Sequence, residues 1–194
     1  MSQRESGYER KERDLYETPE WVTLALLSHL PRGISLVWEP AAGGGKMVAA
    51  LKGGGLKVEH SDISDGDDFL ASRRAGFDAI ITNPPYVLAQ EFIEHAIDLM
   101  NPNGVVAMLL RTDFDHAKTR QHLFSGCDAF AKKLVLTKRI VWFDGPGAAP
   151  SFNHAWYIWD WHHIGPPTLA YGPSATASDT AKVSRETLTN GQKP

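Results

Sequence analysis

Cysteine is nearly absent. A single thiol, Cys127, among 194 residues excludes a disulfide framework and a Cys-based zinc cage, and it favours a reducing compartment. Long apolar runs are missing too. No stretch approaches the ~18 residues of a membrane span, and the polar start MSQRESGYERKERD lacks the apolar core of a secretion signal. Nor is there a cationic excess. With 20 Lys+Arg against 23 Asp+Glu and a net charge of −3, no general basic field draws phosphates to the surface. The eight histidines show neither H-x-x-x-H nor H-E-x-x-H spacing, so no metal is expected. What remains is a soluble, cytoplasmic chain of single-domain length that buries roughly two-thirds of its unfolded surface.

The ends differ from the middle. Residues 1–14 alternate charges around one large apolar residue, Tyr8, which predicts a flexible arm. From Gly165 onward Ser, Thr, Ala, Pro and Gly dominate, which predicts a disordered tail over 165–194. Residues 15–164 form the domain, with no repeat and no internal linker.

Within that domain strand and helix patterns alternate. Pro19 to Leu30 reads as a helix with Thr18 as N-cap and Pro19 at the first helical position. Ile34–Trp38, Leu56–His60, Phe77–Thr82 and Val105–Leu110 read as short buried strands. Lys46–Leu51 reads as a brief helix, and Leu88, Phe92, Ala96 and Leu99 recur at helical spacing. Thr119–Phe130 is expected to be helical, with Cys127 as packing. Lys133–Phe143 and His154–Trp161 read as two strands joined by a Gly/Pro-rich turn. This order predicts an α/β sheet, largely parallel, with a terminal hairpin. Ligands of such sheets lie beyond the C-terminal strand ends.

Four of those ends carry unusual residues. Glu39-Pro40-Ala41-Ala42-Gly43-Gly44-Gly45 follows a strand directly; glycines there permit a tight turn and close approach to a ligand, and a carboxylate before the loop suits an amine or a sugar hydroxyl. Neither G-x-x-x-x-G-K-[ST] nor G-x-G-x-x-G is present. Asp62 stands 23 residues later, at the next strand end, where an acid commonly accepts hydrogen bonds from ribose. Asp68-Phe69 supplies a carboxylate and a ring in the same region. Asn83-Pro84-Pro85-Tyr86 closes the run FDAIIT. Its two prolines remove two donors and fix φ, so the adjacent acceptors project in a set direction beside an aromatic ring. Such a pair can hold both hydrogens of a planar amine. Tyr16-Glu17-Thr18-Pro19 precedes the first helix, whose start could receive a carboxylate.

Taken in order, Tyr16-x-Thr18-Pro19, Glu39-Pro40-x-x-Gly43-x-Gly45, Asp62, Asp68-Phe69 and Asn83-Pro84-Pro85-Tyr86 resemble the motifs of S-adenosylmethionine-dependent amino methyltransferases. The likeness spans roughly residues 14–161 and is nearest to the small adenine-N6 DNA methyltransferases of phages and prophages. It implies a Rossmann-like fold with a seven-stranded, mostly parallel sheet, a reversed terminal strand and helices on both faces. It implies S-adenosylmethionine as cofactor, without a metal. Glu39 would contact the methionine amine, in a pocket shaped by Pro40, Ala41, Gly43 and Gly45. Asp62 would take the ribose, Asp68 and Phe69 the cofactor's adenine, and Tyr16 and Thr18 would close over the methionine end. Asn83, Pro84, Pro85 and Tyr86 would hold the target base for catalysis.

The partner the resemblance implies is nucleic acid, DNA before RNA. Members that recognise a sequence usually carry an extra target-recognition segment, and no block of about 60 residues is free for one here; a protein partner could supply it. Residues 105–140 hold seven basic residues (Arg111, Lys118, Arg120, Lys132, Lys133, Lys138 and Arg139) against three acids, a candidate phosphate track or a solvated face. Arg111, Lys118 and Arg120 are the substrate-side candidates there, and Phe143 could wall the base pocket. Most rings of Trp156, Tyr157, Trp159 and Trp161 are expected in the core. RNA adenine methylation, protein glutamine methylation and a non-catalytic cofactor-binding subunit stay open as alternatives, though 14 polar residues cannot supply the separate N-terminal domain usual in release-factor methyltransferases.

Overall fold

The computed structural model describes residues 16–142, 150 and 152–173. The expected arm at 1–14 and the pocket candidate Phe143 lie outside these. Seven strands form one sheet: β1 (Leu36–Glu39), β2 (Lys57–His60), β3 (Ala79–Thr82), β4 (Val105–Arg111), β5 (Phe130–Leu136), β6 (His154–Asp160) and β7 (Thr168–Gly172). Their spatial order is β2-β1-β3-β4-β6-β5-β7. Pairs β1·β2, β1·β3, β3·β4 and β5·β7 are parallel, while β6 runs against both its neighbours, β4 and β5. The expected mostly parallel sheet with one reversed strand is therefore present. Three α-helices flank it among the described residues: α1 (Glu20–Leu27), α2 (Lys46–Gly53) and α3 (Ala89–Met100). None of them is long and apolar enough to cross a membrane.

The period-2 alternation of the strands separates two cores. On β4, Val106, Met108 and Leu110 face the side covered by Phe92, Ile93 and Ala96 of α3. Val105, Ala107 and Leu109 face the side covered by Val22 and Leu26 of α1 and Met47 and Leu51 of α2. Six of the seven β4 residues and all four of β3 are buried, which is why both strands read as continuous apolar runs. Trp156, Tyr157 and Trp159 are core residues as expected. The indole N–H groups of Trp156 and Trp159 donate to the carbonyls of Val22 (2.9 Å) and Leu123 (2.6 Å), so neither large ring buries an unpaired donor.

Three expectations need correction. The expected tail begins too early, because Thr168–Gly172 forms β7 alongside β5, from Lys132↔Thr168 to Leu136↔Gly172; residues 174–194 lie outside the described residues. Its residues are mostly exposed, so the strand is held by its backbone ladder and by Thr137 donating to the Gly172 carbonyl, which composition does not reveal. Thr119–Phe130 is not an α-helix. A 3-10 helix covers Lys118–Leu123, Phe124 leaves helical space at φ −119°, ψ −93°, and Ser125-Gly126 then turns the chain into β5, with Cys127 half-buried against the core. Thr18 does not cap the first helix. Pro19 is itself the N-cap residue, no side chain bonds there, and α1 ends at Leu27; Thr18 is instead buried.

Candidate active site

A cavity of about 480 Å³ opens at the C-terminal ends of β1, β2 and β3, where ligands of such sheets gather. Of the sequence candidates, Tyr16, Thr18, Glu39, Pro40, Ala41, Gly43, Asp62, Asp68, Phe69, Asn83 and Pro85 line it. Pro84, Tyr86 and Gly45 do not, and the role of Gly45 is conformational. At φ +84° it is the N-cap of α2, a left-handed position that any side chain would strain. Gly44 lies against the Glu17 carboxylate, and a Cβ there would displace the end of that flexible side chain.

The glycine loop is fastened to the neighbouring strand end. Asp62 Oδ2 accepts from the Gly43 N–H (2.8 Å), and its Oδ1 accepts from the Ser64 N–H (2.9 Å). The Ala42 N–H donates to the Ser61 carbonyl. Asp62 therefore shapes the cavity floor as well as facing it. Asp68 acts similarly, capping the 3-10 turn Phe69–Ala71 through the Leu70 N–H (3.0 Å). Phe69 is only 2 % exposed and packs on Trp38, Phe92 and His95, so its ring belongs mainly to the core. Ile63, directly after Asp62, is an exposed apolar side chain lining the cavity, as is Leu88.

Glu39 sits at the end of β1 and is 1 % exposed. Its Oε1 accepts from the Ala41 N–H (3.0 Å) and from the Thr82 hydroxyl, while Oε2 is buried with no partner. Burial pushes its carboxyl up to about 8, against the lowering effect of those two hydrogen bonds. An unpaired buried carboxylate oxygen at a ligand cavity is a receptor for a cationic donor.

Asn83 follows β3. Its Nδ2 donates to the Tyr16 carbonyl (3.1 Å), which fixes the amide orientation and identifies Oδ1 as the acceptor. That oxygen is also buried and unpartnered. Pro84 is buried behind it. Beyond Pro85, Tyr86 opens a short 3-10 turn leading into α3.

The aromatic surroundings of Tyr86 were not legible in the sequence. Its hydroxyl lies 2.8 Å from Nε2 of His154, the first residue of β6, and the rings stack at 6.1 Å. Burial lowers His154 to about 4, so the ring is neutral at ordinary pH. Tyr16 stands 6.1 Å from Tyr86 and 5.4 Å from Trp142, and Trp142 meets His154 edge-on at 5.3 Å. Glu17 was likewise missed. It pairs with Lys46 (2.9 Å) beside Gly44, joining the segment before α1 to the start of α2.

The substrate-side candidates are not brought to the cavity. Arg111 forms a bidentate pair with Asp113 (2.7 and 3.0 Å) and lies 4.2 Å over the Phe152 ring. Arg120 bonds the Phe114 carbonyl and covers its ring. Lys118 is exposed on the 3-10 helix. Lys133 pairs with Asp115 (2.7 Å), and Lys132 with the His29 carbonyl (3.1 Å). The basic run is thus dispersed, and four of its seven members are engaged within the chain.

No protein-family profile matches the chain, and no curated protein does. Its shape is nonetheless shared. A protein described as a class I S-adenosylmethionine-dependent methyltransferase from Listeria monocytogenes superposes with a TM-score of 0.61 at 16% identity, covering 88% of this chain and 70% of that one. A type I restriction-modification methyltransferase subunit from Streptococcus thermophilus gives 0.56 at 11%, over 90% of this chain and 53% of the other. A dimethyladenosine transferase from Plasmodium falciparum gives 0.53 at 15%, over 75% and 62%. The protein has the class I S-adenosylmethionine-dependent methyltransferase fold. It spans about half the length of the restriction-modification subunit.

Proposed function

We propose that the protein transfers a methyl group from S-adenosylmethionine to the exocyclic N6 amine of adenine in DNA. The observation that carries this reading is the Asn83 amide. Its nitrogen is spent on Tyr16, its oxygen is left buried and unpaired, and the residue lines a nucleoside-sized cavity.

The cavity suits the cofactor on three counts. Its volume falls within the ~300–1,000 Å³ usual for small-molecule sites. The unpaired Glu39 Oε2 is placed for an ammonium group, and Gly43 and Gly44 bring backbone to the cavity wall without side chains. Glu39 would take the methionine amine, Tyr16 and Thr18 the methionine end, and Asp62 the ribose. Asp68 and Phe69 would bound the adenine, with Ile63 against its face. When bound, the cofactor supplies an electrophilic methyl carbon on a cationic sulfur.

The chain's own task is to prepare the acceptor. An aromatic amine has its lone pair delocalised into the ring and is a weak nucleophile. Asn83 Oδ1 and the Pro84 carbonyl would accept its two N–H bonds and draw the nitrogen toward tetrahedral, while Tyr86 stacks on the ring. The proton leaves after attack, so no base poised near neutrality is needed, and in-line positioning does most of the work. A base within a duplex must leave the stack to reach Asn83, at ~a few kcal/mol, less from single strands.

The neighbours that are methyltransferase subunits favour a protein partner that supplies sequence recognition. The test is incubation with labelled S-adenosylmethionine and, separately, DNA, RNA and protein, followed by digestion. N6-methyladenine in the DNA arm is expected; label confined to RNA or to glutamine would replace this substrate with another.

A further inference from the structure

A second recess of about 250 Å³ adjoins the first, behind the Glu17–Lys46 ion pair. Trp21 and Trp142 line it together with Lys138 and Arg139 from the segment after β5. We propose that this recess binds the nucleotide flanking the target adenine, its phosphate on Lys138 and Arg139 and its base on Trp142. The proposal rests on the DNA-adenine reading above and deepens it.

Three observations support the assignment. The first is position. Trp142 is 5.4 Å from Tyr16, which is 6.1 Å from Tyr86, so a chain of rings leads from the acceptor loop into the recess. The second is charge. Arg111, Arg120, Lys132 and Lys133 are bound to groups of the chain itself. Lys138 and Arg139 are exposed side by side, and among the described residues no carboxylate pairs with either; Lys138 rests only on the Trp21 ring at 5.2 Å. The one acid at the recess, Glu17, is turned to Lys46. The third is chemistry. Half-buried indoles beside two cations form the pairing that binds single-stranded nucleic acid, by base stacking worth about 1–3 kcal/mol and by phosphate contact. An apolar peptide would gain nothing from the two cations, and a free anion nothing from the indoles.

The full chain is to be titrated with a fluorescent single-stranded 12-nucleotide DNA containing one adenine, at several salt concentrations, beside calorimetry with S-adenosylmethionine. For K138E/R139E, DNA affinity is expected to fall at least ~10-fold, and the slope of log K against log salt to drop by about 0.7, the share of the one phosphate held there. Cofactor affinity stays within about twofold. Trp142→Ala weakens DNA binding about 5-fold or more and leaves the salt slope unchanged, a signature that general loss of structure would not produce. If wild type binds and methylates the DNA while both variants bind it equally well, the recess assignment is wrong and the adenine reading survives. If wild type neither binds nor methylates the DNA, both are wrong.

Discussion

The Tyr86 hydroxyl and His154 Nε2 lie 2.8 Å apart although 68 residues separate them in sequence. The contact ties the acceptor loop after β3 to the first residue of β6. Tyr86→Phe keeps the ring and loses the tie. A net hydrogen bond of ~0.5–1.5 kcal/mol sets the expected cost at roughly 3- to 10-fold in kcat, with cofactor affinity unchanged by calorimetry. An unchanged kcat would show that His154 does not position this ring.

The same histidine gives a stability signature. Its pKa is lowered from 6.5 to about 4 by burial, so below pH 6.5 the unfolded chain takes up a proton that the folded chain refuses. Stability is then lost as pH falls from 6.5 toward 4. Thermal melts should show a steeper loss over that window for wild type than for His154→Gln. Parallel curves would contradict the assignment.

Glu39 behaves in the opposite sense. With its folded pKa raised from 4.5 to about 8, the folded protein holds a proton that the unfolded chain has released, and stability falls as pH rises from 4.5 to 8. Glu39→Gln should melt about 5 °C or more above wild type at pH 8 and close to it at pH 4. Binding an ammonium group ionises Glu39, so S-adenosylmethionine affinity of wild type should rise between pH 6 and 7.5 with proton release, seen as buffer-dependent binding heat. Glu39→Gln should bind more weakly and without that release.

Asn83→Ala removes the acceptor oxygen. Methyl transfer should fall at least ~100-fold, the scale of one lost transition-state hydrogen-bonding group, while cofactor affinity changes less than about 5-fold. Some change is expected because the Tyr16 carbonyl loses its donor. Equal loss of both in paired calorimetric and radiolabel measurements would contradict the assigned role.

The adjacent glycines should separate cleanly. Gly45→Ala places a side chain at φ +84° and should cost about 1–2 kcal/mol, read as a lower Tm. Gly44→Ala meets only the end of the Glu17 side chain, which can swing aside. Its Tm should change less, and its main effect should be loss of the Glu17–Lys46 pair, visible as altered cofactor affinity.

The contrast between Asn83 and His154 shows what the sequence could and could not disclose. Asn83, with two prolines behind it at the end of a buried run, and Glu39, ahead of three glycines, declare themselves through local backbone chemistry. The continuous runs of β3 and β4 were legible because both faces are covered. His154, Glu17 and Trp142 acquire meaning only from partners dozens of residues away. The basic run broke up for the same reason: charge counts do not show that Arg111 folds back on Asp113. β7 escaped notice because an edge strand needs only a neighbour's backbone, and Thr168–Gly172 has almost no buried side chains to mark it.

Since β6 is the one inverted strand, it presents its beginning, not its end, at the rim where the others terminate; His154 registers with Arg111 there. Phe152, two residues before His154, lies under the Arg111 guanidinium at that same rim. A substitution at the entry of β6 therefore reaches the Tyr86 ring through His154 while the pairing of β4 with β6 keeps its alignment, so the same strand serves as frame at one end and as adjustable wall at the other.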